Sequence, residues 1–144
     1  MATINEAFIT YKRKQGKKIK VTCSGSAYNA LKPFFEDVID YKEAFKIILV
    51  DRANQIIAIN HISDGGLSGT VVDSRLIAQA AILSNASGVI LAHNHPSGFL
   101  RPSEEDKKVT KKIKEALSLF DIHVVDHIIL GSENYLSFAD EGIL

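Results

Sequence analysis

The chain has 144 residues, which is enough for one compact domain with an apolar core. Lysine plus arginine and aspartate plus glutamate both number 17, so the net charge is zero and gives no overall sign of nucleic-acid or membrane binding. Cys23 is the one cysteine, which excludes an internal disulfide, and neither a signal peptide nor a membrane-spanning segment can be read, so we predict a cytoplasmic protein without membrane contact.

The N-terminal part is predicted to begin with an arm, residues 1–16. A basic cluster overlaps its end and consists of Lys12, Arg13, Lys14, Lys17, Lys18 and Lys20. Such a cluster can bind phosphates, although a solvated face with lysines guarding an edge strand is favoured. Residues 17–23 alternate as a strand does, which predicts that Cys23 is buried, and residues 24–40 are typical of a helix that Pro33 kinks or restarts.

The middle of the chain predicts a hairpin followed by a helix. Residues 43–51 have the apolar run of a buried strand, residues 52–54 form a turn, and residues 55–62 are the returning strand. A loop with Gly65, Gly66 and Gly69 follows, which could approach an extended peptide closely or simply turn. Asp73 is predicted to cap the helix over residues 74–85.

The last third alternates strands with one helix. Residues 87–93 predict a central strand covered on both faces, and residues 103–120 predict an amphipathic helix with acidic residues first and lysines later. Strands are expected over residues 122–131 and 135–140. Helices and strands alternate without repeats or a linker, so we predict a single α/β domain over residues 1–144.

Two histidines stand where the predicted central strand enters a loop. Side chains at His93 and His95 point to the same face of a strand, with Cα atoms about 6.5–7 Å apart, so that both rings could converge on one ion. Alone, a His-x-His pair is a weak signal for a metal. Asn94 points the other way, which favours a role in packing or hydrogen bonding.

Ser103 and Asp106 have two competing interpretations. The sequence "SEED" is a capping box, with Ser103 as the N-cap and an acidic residue at the third helical position. A carboxylate in the first turn of a helix is also held stiffly, as a metal ligand must be. We expect the two roles of Asp106 to compete, because one carboxylate cannot easily fold back to the cap and bind a metal at once.

A His–His–Asp set has the composition of a catalytic zinc site. Three protein ligands leave a fourth position for water, and zinc lowers the pKa of that water towards neutrality. Such a site also needs a general base, and Glu43 is the lone acidic residue at the start of an apolar strand. By pattern alone, Glu43 is more typical of a solvated residue at a strand start.

The arrangement His93-x-His95, seven residues, then Ser103-x-x-Asp106 resembles the JAMM motif of the JAB/MPN+ metalloproteases. The phrases "LAHNHPSG", "PSEED" and "VVDHIILG" are similar to the RadC subfamily in particular. The resemblance implies a cytidine-deaminase-like three-layer α/β sandwich, with a central mixed sheet flanked by helices. It implies one Zn²⁺ per chain, held by His93, His95 and Asp106.

The same resemblance implies the catalytic roles. Glu43 would take a proton from the attacking water and pass it to the leaving amine, and Ser103 would steady the oxyanion. The implied activity is that of a zinc-dependent metallopeptidase or isopeptidase acting on a peptide or protein substrate. RadC proteins usually carry a helix-hairpin-helix segment, and residues 1–144 show none.

Three other functions are alternatives to this one. A DNA-repair or other nucleic-acid-associated module without turnover would rest on the basic cluster, and a scaffold without turnover would not need the complete motif that is present. A cytidine deaminase would need His-x-Glu and a Pro-Cys-x-x-Cys pair, which this chain lacks. The last strand and the arm offer surfaces for a homo-oligomer.

Five further residues are candidates for a place in or near the site. Asp126 and His127 point to opposite faces of their strand, so at most one faces the site, and structural roles are favoured for both. Ser97 is expected in a turn close enough to line the pocket. His61 and His123 have no partner that the sequence identifies.

Overall fold

A computed structural model describes residues 1–8, 10–12, 14–65 and 71–144. Within these residues the chain forms three helices and five strands. In chain order they are α1 (Ser24–Phe35), β1 (Ala44–Val50), β2 (Ile56–Asp64), α2 (Ser74–Leu83), β3 (Gly88–Asn94), α3 (Glu104–Ser118), β4 (His123–Leu130) and β5 (Tyr135–Ser137).

The strands form one mixed sheet in the order β2-β1-β3-β4-β5. β1 and β2 pair antiparallel as the predicted hairpin, and β1 also pairs antiparallel with β3. β3 and β4 run parallel, and β5 returns antiparallel on β4. Every residue of β3 is buried, as expected for a central strand with covered faces.

Helices cover both faces of the sheet, which gives three layers. One apolar cluster joins α1, through Leu31 and Phe35, to one face of the sheet. The other cluster joins α2 and α3, through Ile77, Ile113 and Leu117, to the opposite face. Because successive strand residues alternate between faces, the buried apolar residues of β1 and β3 divide between these two cores. The predicted α/β class with a central mixed sheet is confirmed.

The segment before α1 differs from its prediction. Instead of a strand over residues 17–23, the structure has a single β-bridge between Lys20 and Gln55, flanked by a bond from the Ile56 amide to the Ile19 carbonyl (2.7 Å). Pairing stops there because the chain turns into α1, where Cys23 becomes the N-cap and its amide donates to Ser26 Oγ (3.1 Å). The prediction that Cys23 is buried is therefore wrong, since its side chain is exposed.

Two predicted elements are shorter than expected. α1 ends at Phe35, two residues after Pro33, and turns follow in which the Val38 amide donates to the Phe35 carbonyl (3.0 Å). β5 covers residues 135–137 alone, because the chain turns away from β4 after Ser137. Of the predicted glycine loop, Gly65 is described, and Gly66 and Gly69 lie outside the described residues.

The basic cluster lies beside β2 and the turn that precedes it. Lys18 forms an ion pair with Asp51 (3.3 Å), while Lys12, Lys14 and Lys17 line the same shallow cavity as Asp51. Arg13 lies outside the described residues. Within the part of the chain that is described, no helix combines the length and the apolar character that crossing a bilayer requires.

Candidate metal centre

The two histidines of the motif meet at the C-terminal end of β3. His93 is 3% exposed and pairs in register with Phe45 on β1 and Ile129 on β4. His95 follows the strand, and its amide still donates to the Leu130 carbonyl (3.0 Å). The Nε2 atoms of His93 and His95 are 3.0 Å apart, so both rings point at one place.

Asp106 reaches the same place from the first turn of α3. The capping box is confirmed: Ser103 Oγ accepts from the Asp106 amide (3.0 Å), and Asp106 Oδ2 accepts from the Ser103 amide (2.9 Å). At the same time Asp106 Oδ1 lies 3.3 Å from His93 Nε2, and Oδ2 lies 3.3 Å from His95 Nε2. The expectation that capping and ligation compete is therefore wrong, because a carboxylate has two oxygens and spare lone pairs on each.

The spacing of the three donor atoms suits a small cation. The donor atoms of His93, His95 and Asp106 lie within 4.8 Å of one another, and the measured contacts are 3.0 to 3.3 Å. Ligands at the usual zinc distances in a tetrahedron are separated by about 3.3 Å. The residues therefore fit such an ion, and the set of two imidazoles and one carboxylate is one that zinc accepts.

The tautomer of His95 also suits a metal. Its Nδ1 lies 2.7 Å from the Phe99 carbonyl oxygen. A carbonyl can only accept, so Nδ1 must carry the hydrogen, and in the neutral ring Nε2 presents a bare lone pair towards His93 and Asp106. A metal-binding histidine needs that lone pair.

The protonation of the site reflects close contacts between opposite charges. Burial alone would raise the pKa of Asp106, but the His93 and His95 rings, each 3.3 Å from one of its carboxylate oxygens, hold that pKa far below its ordinary value. A hydrogen bond to Asp106 raises the pKa of His95 against the opposing effect of burial, and the Glu43 charge adds to the rise. The carboxylate is thus charged at neutral pH, as a metal ligand must be.

Glu43 and Ser103 lie on the cavity that contains the three candidate ligands. Glu43 immediately precedes β1, and its carbonyl accepts from the Gly65 amide (2.8 Å). The cavity has a volume of about 650 Å³. Its other lining residues are Phe45, Val71, Val72, Pro96, Ser97, Glu105, Val109 and His127. Ser103 Oγ accepts in the capping box, so its hydroxyl hydrogen can still be donated to a substrate oxygen.

Asn94 lies between the two histidines in sequence, and its side chain points to the other face of β3. There it bonds to the backbone on both sides of Glu43. Its side-chain oxygen accepts from the Ala44 amide (2.8 Å), and its Nδ2 lies 2.9 Å from the Lys42 carbonyl and near the carbonyls of Val38 and Ile39. The predicted hydrogen-bonding role of Asn94 is confirmed. Both chain neighbours of Glu43 are fixed by this one amide.

His127 contacts a candidate ligand, and this contact was not predicted from the sequence. Its Nε2 lies 2.8 Å from His93 Nδ1, and its Nδ1 lies 2.6 Å from Thr110 Oγ1 on α3. Asp126 points to the other face, where it accepts from Ser137 Oγ (2.6 Å). His127 lines the cavity and Asp126 does not, which agrees with the expectation that at most one of them faces the site. The available signal was the "DH" dipeptide within β4.

The remaining histidines lie elsewhere. His61 lies on β2 between Lys46 (3.3 Å) and Asp64 (3.1 Å). His123 is exposed at the start of β4, opposite Gly88. Ser97 accepts from the Phe99 amide (3.3 Å) in the predicted turn and lines the cavity.

Comparisons with known proteins identify the family. Residues 21–143 match the family described as RadC-like JAB domain. The chain is 40% identical over 124 residues to a UPF0758 protein of Flavobacterium johnsoniae, which covers 86% of this chain and 53% of that relative. It is 40% identical over 129 residues to a UPF0758 protein of Porphyromonas gingivalis, covering 89% and 56% of the two chains.

A relative from Escherichia coli K12, UPF0758 protein YfjY, is 43% identical over 103 residues, covering 72% of this chain and 64% of the relative. The chain spans about half the length of most of the curated relatives that it matches. Because the family match runs from α1 to beyond β5 and includes the candidate ligands, this chain belongs to the RadC-like JAB domain family.

Proposed function

We propose that this chain is a zinc-dependent hydrolase of the JAMM type, a metallopeptidase or isopeptidase that cleaves an amide bond in a peptide or protein. The observation that carries the proposal is the convergence of His93, His95 and Asp106, with donor atoms 3.0 to 3.3 Å apart, on a cavity that Glu43 and Ser103 also line. Three ligands fit a site with an open position.

The three ligands would hold the ion, and zinc when bound there would supply a water molecule activated near neutral pH. Glu43 acts as the general base: its carboxylate accepts a proton as the water oxygen bonds to the amide carbon. Glu43 then gives that proton to the leaving nitrogen as the carbon–nitrogen bond breaks. Ser103 donates its hydroxyl hydrogen to the substrate oxygen on which negative charge develops.

The shape of the cavity supports an amide of a polypeptide as the substrate. A volume of about 650 Å³ accepts several residues of an extended chain, and apolar side chains line it beside the ligands, among them Val72 and Val109. Glu43 and Ser103 approach from different elements, the start of β1 and the N-cap of α3. A scissile amide can therefore meet a base and a hydrogen-bond donor together.

The first test is the metal content of the purified protein after zinc loading and dialysis against metal-free buffer. We expect about one zinc per chain in the wild type, and less than a tenth of that in His95→Ala, which removes one ligand. His61→Ala is the matched control, because His61 lies on β2 with Lys46 and Asp64 as its partners. Equal zinc content in the wild type and His95→Ala would contradict the assignment.

The second test separates binding from catalysis. Fluorogenic peptides and a lysine-branched isopeptide are the probes, and Glu43→Gln is the variant. We expect Glu43→Gln to retain the wild-type zinc content and to lose activity about 100-fold or more, because general-base catalysis contributes roughly 10²–10⁴ in rate. Unchanged hydrolysis by Glu43→Gln would remove Glu43 from the mechanism.

A further inference from the structure

Two buried polar side chains behind the candidate ligands have no role in the proposed chemistry. His127 on β4 is 1% exposed, and Thr110 on α3 is 3% exposed. Together they connect two of the three ligands: His93 Nδ1 to His127 Nε2 (2.8 Å), His127 Nδ1 to Thr110 Oγ1 (2.6 Å), and Thr110 Oγ1 to the Asp106 carbonyl oxygen (2.7 Å).

The last member of this chain of hydrogen bonds sets the direction of all the others. The Asp106 carbonyl can only accept, so the Thr110 hydroxyl must donate to it. Thr110 Oγ1 therefore accepts from His127 Nδ1, which must carry a hydrogen. In a neutral ring, His127 Nε2 is then bare and accepts from His93 Nδ1.

This order of hydrogens determines which ring nitrogen of His93 carries the hydrogen. If His93 carries its hydrogen on Nδ1, a neutral His93 presents a bare Nε2 to the place where His95 and Asp106 converge. His127 is 1% exposed, and burial in an apolar surrounding disfavours a charged ring. The ring of His127 is also held in place, by stacking on Phe138 with centroids 4.5 Å apart.

We propose that His127 and Thr110 are a positioning pair for the metal centre. They hold His93 in the tautomer that binds metal and connect β4 to the turn of α3 that supplies Asp106. The inference rests on the proposed metal-binding function of His93 and Asp106. It predicts that these two residues change metal affinity although neither one is a proposed ligand.

The decisive comparison is between two substitutions of one residue. Thr110→Val keeps the size of the side chain and removes the hydroxyl, whereas Thr110→Ser keeps the hydroxyl. Without the hydroxyl, His127 Nδ1 loses its acceptor, so His127 can move its hydrogen to Nε2 and force His93 into the wrong tautomer. Outer-shell partners of metal ligands typically change affinity 10–100-fold.

The first readout is the dissociation constant of zinc, measured by competition with a chromophoric chelator. We expect Thr110→Val to raise that constant about tenfold and Thr110→Ser to leave it within about threefold of the wild type. His127→Phe keeps an aromatic ring against Phe138 but removes both nitrogens, and we expect an increase at least as large as that of Thr110→Val. Wild-type affinity in Thr110→Val would overturn the proposal.

The second readout is the tautomer of His93, identified from long-range ¹H–¹⁵N correlation spectra of the metal-free protein. We expect hydrogen on Nδ1 in the wild type and in Thr110→Ser, and a mixture of tautomers in Thr110→Val. A merely structural role for Thr110 would not change which nitrogen carries the hydrogen. The same tautomer in all three proteins would contradict the positioning role.

The two readouts also separate this inference from the proposed function. If the wild type holds no zinc, the metal-dependent function fails, and the His93 tautomer in the metal-free protein still decides whether the pair sets it. If the wild type binds zinc and Thr110→Val binds it equally well, the function stands and the positioning pair fails. Circular dichroism and urea unfolding of each variant verify that it is folded.

Discussion

The side chains of His93, Asn94 and His95 serve different roles on the two faces of the sheet at the end of β3. A strand sends alternate side chains to opposite faces, so the histidines reach the cavity while Asn94 reaches the side covered by α1. Asn94 is fully buried, and its amide bonds to the Ala44 amide and the Lys42 carbonyl, the two neighbours of Glu43. One short stretch thereby supplies two ligands and anchors the backbone of the proposed base.

Asn94→Ala should destabilise the protein substantially. It leaves the buried Ala44 amide without its side-chain acceptor, and it removes the donor that faces three part-buried carbonyls. Unsatisfied buried groups cost about 1–3 kcal/mol each, so we expect the free energy of unfolding to fall by about 3 kcal/mol. Urea unfolding followed by circular dichroism measures this change.

Asn134→Ala is the control for that experiment. Asn134 is exposed, and its side chain accepts a local bond from the Tyr135 amide (2.8 Å). Exposed bonds of this kind contribute little, so we expect a loss of about 1 kcal/mol or less. If Asn94→Ala lost no more than Asn134→Ala, Asn94 would not be the anchor that the structure indicates.

At the scale of elements, the start of α3 serves both the fold and the site. Ser103 caps the helix, and the same reciprocal bonds orient the Asp106 carboxylate towards the two histidines. Helix N-termini favour negative charge, so a charged Asp106 also suits its position in the first turn. The cap therefore pre-organises a ligand before any ion arrives.

Ser103→Ala should lower stability and metal affinity together. Loss of an N-cap side chain costs about 1 kcal/mol, and the Asp106 amide would lose its partner. Ser103→Asn supplies a cap of similar strength, so its free energy of unfolding should stay within about 0.5 kcal/mol of the wild type. Urea unfolding distinguishes the two variants, and Ser103→Ala as stable as Ser103→Asn would show that the cap contributes nothing.

The helices and strands also show which structural features could be predicted from the sequence alone. The α3 start was predictable because a capping box and an amphipathic period are local signals, and both were found. The conformation of residues 17–23 could not be predicted from local sequence alone. Alternating residues form a strand only where a neighbouring strand pairs with them, and here the pairing is a single bridge at Lys20.

The same limit applies to the candidate site. His93, His95 and Asp106 are close in sequence and carry a recognisable spacing, so their convergence could be expected. His127 reaches His93 through the parallel pairing of β3 with β4, in a register that shifts between Val89 and Ile90. Such a shift decides which side chains meet across strands, and a single sequence does not reveal it.

Over the whole molecule, the net charge is zero, but acidic and basic side chains are unevenly distributed. Acidic side chains gather on the cavity, where Glu43, Glu105 and Asp106 lie together, while lysines lie beside β2 and along the outer side of α3. A cavity lined by one sign of charge concentrates ions of the other sign. The distribution therefore favours a cation at the candidate site although the composition is neutral.

Zinc should stabilise the whole fold, because the proposed ligands come from the end of β3 and the start of α3, on either side of the loop over residues 95–103. An ion that binds only the folded state at 100 times its dissociation constant adds about 2.7 kcal/mol. For a chain of this size we expect Tm to rise by about 10 °C. Differential scanning fluorimetry with and without zinc measures the shift, and EDTA should reverse it.

His95→Ala and His61→Ala complete this experiment. His95→Ala removes a proposed ligand and should show little rise in Tm at the same zinc concentration, whereas His61→Ala should show the wild-type rise, because His61 bonds to Asp64 on β2. Magnesium at equal concentration should have little effect, because it prefers oxygen ligands in octahedral geometry. An equal zinc-dependent rise in all three proteins would place the binding outside the candidate site, since stabilisation by a ligand requires the residues that hold it.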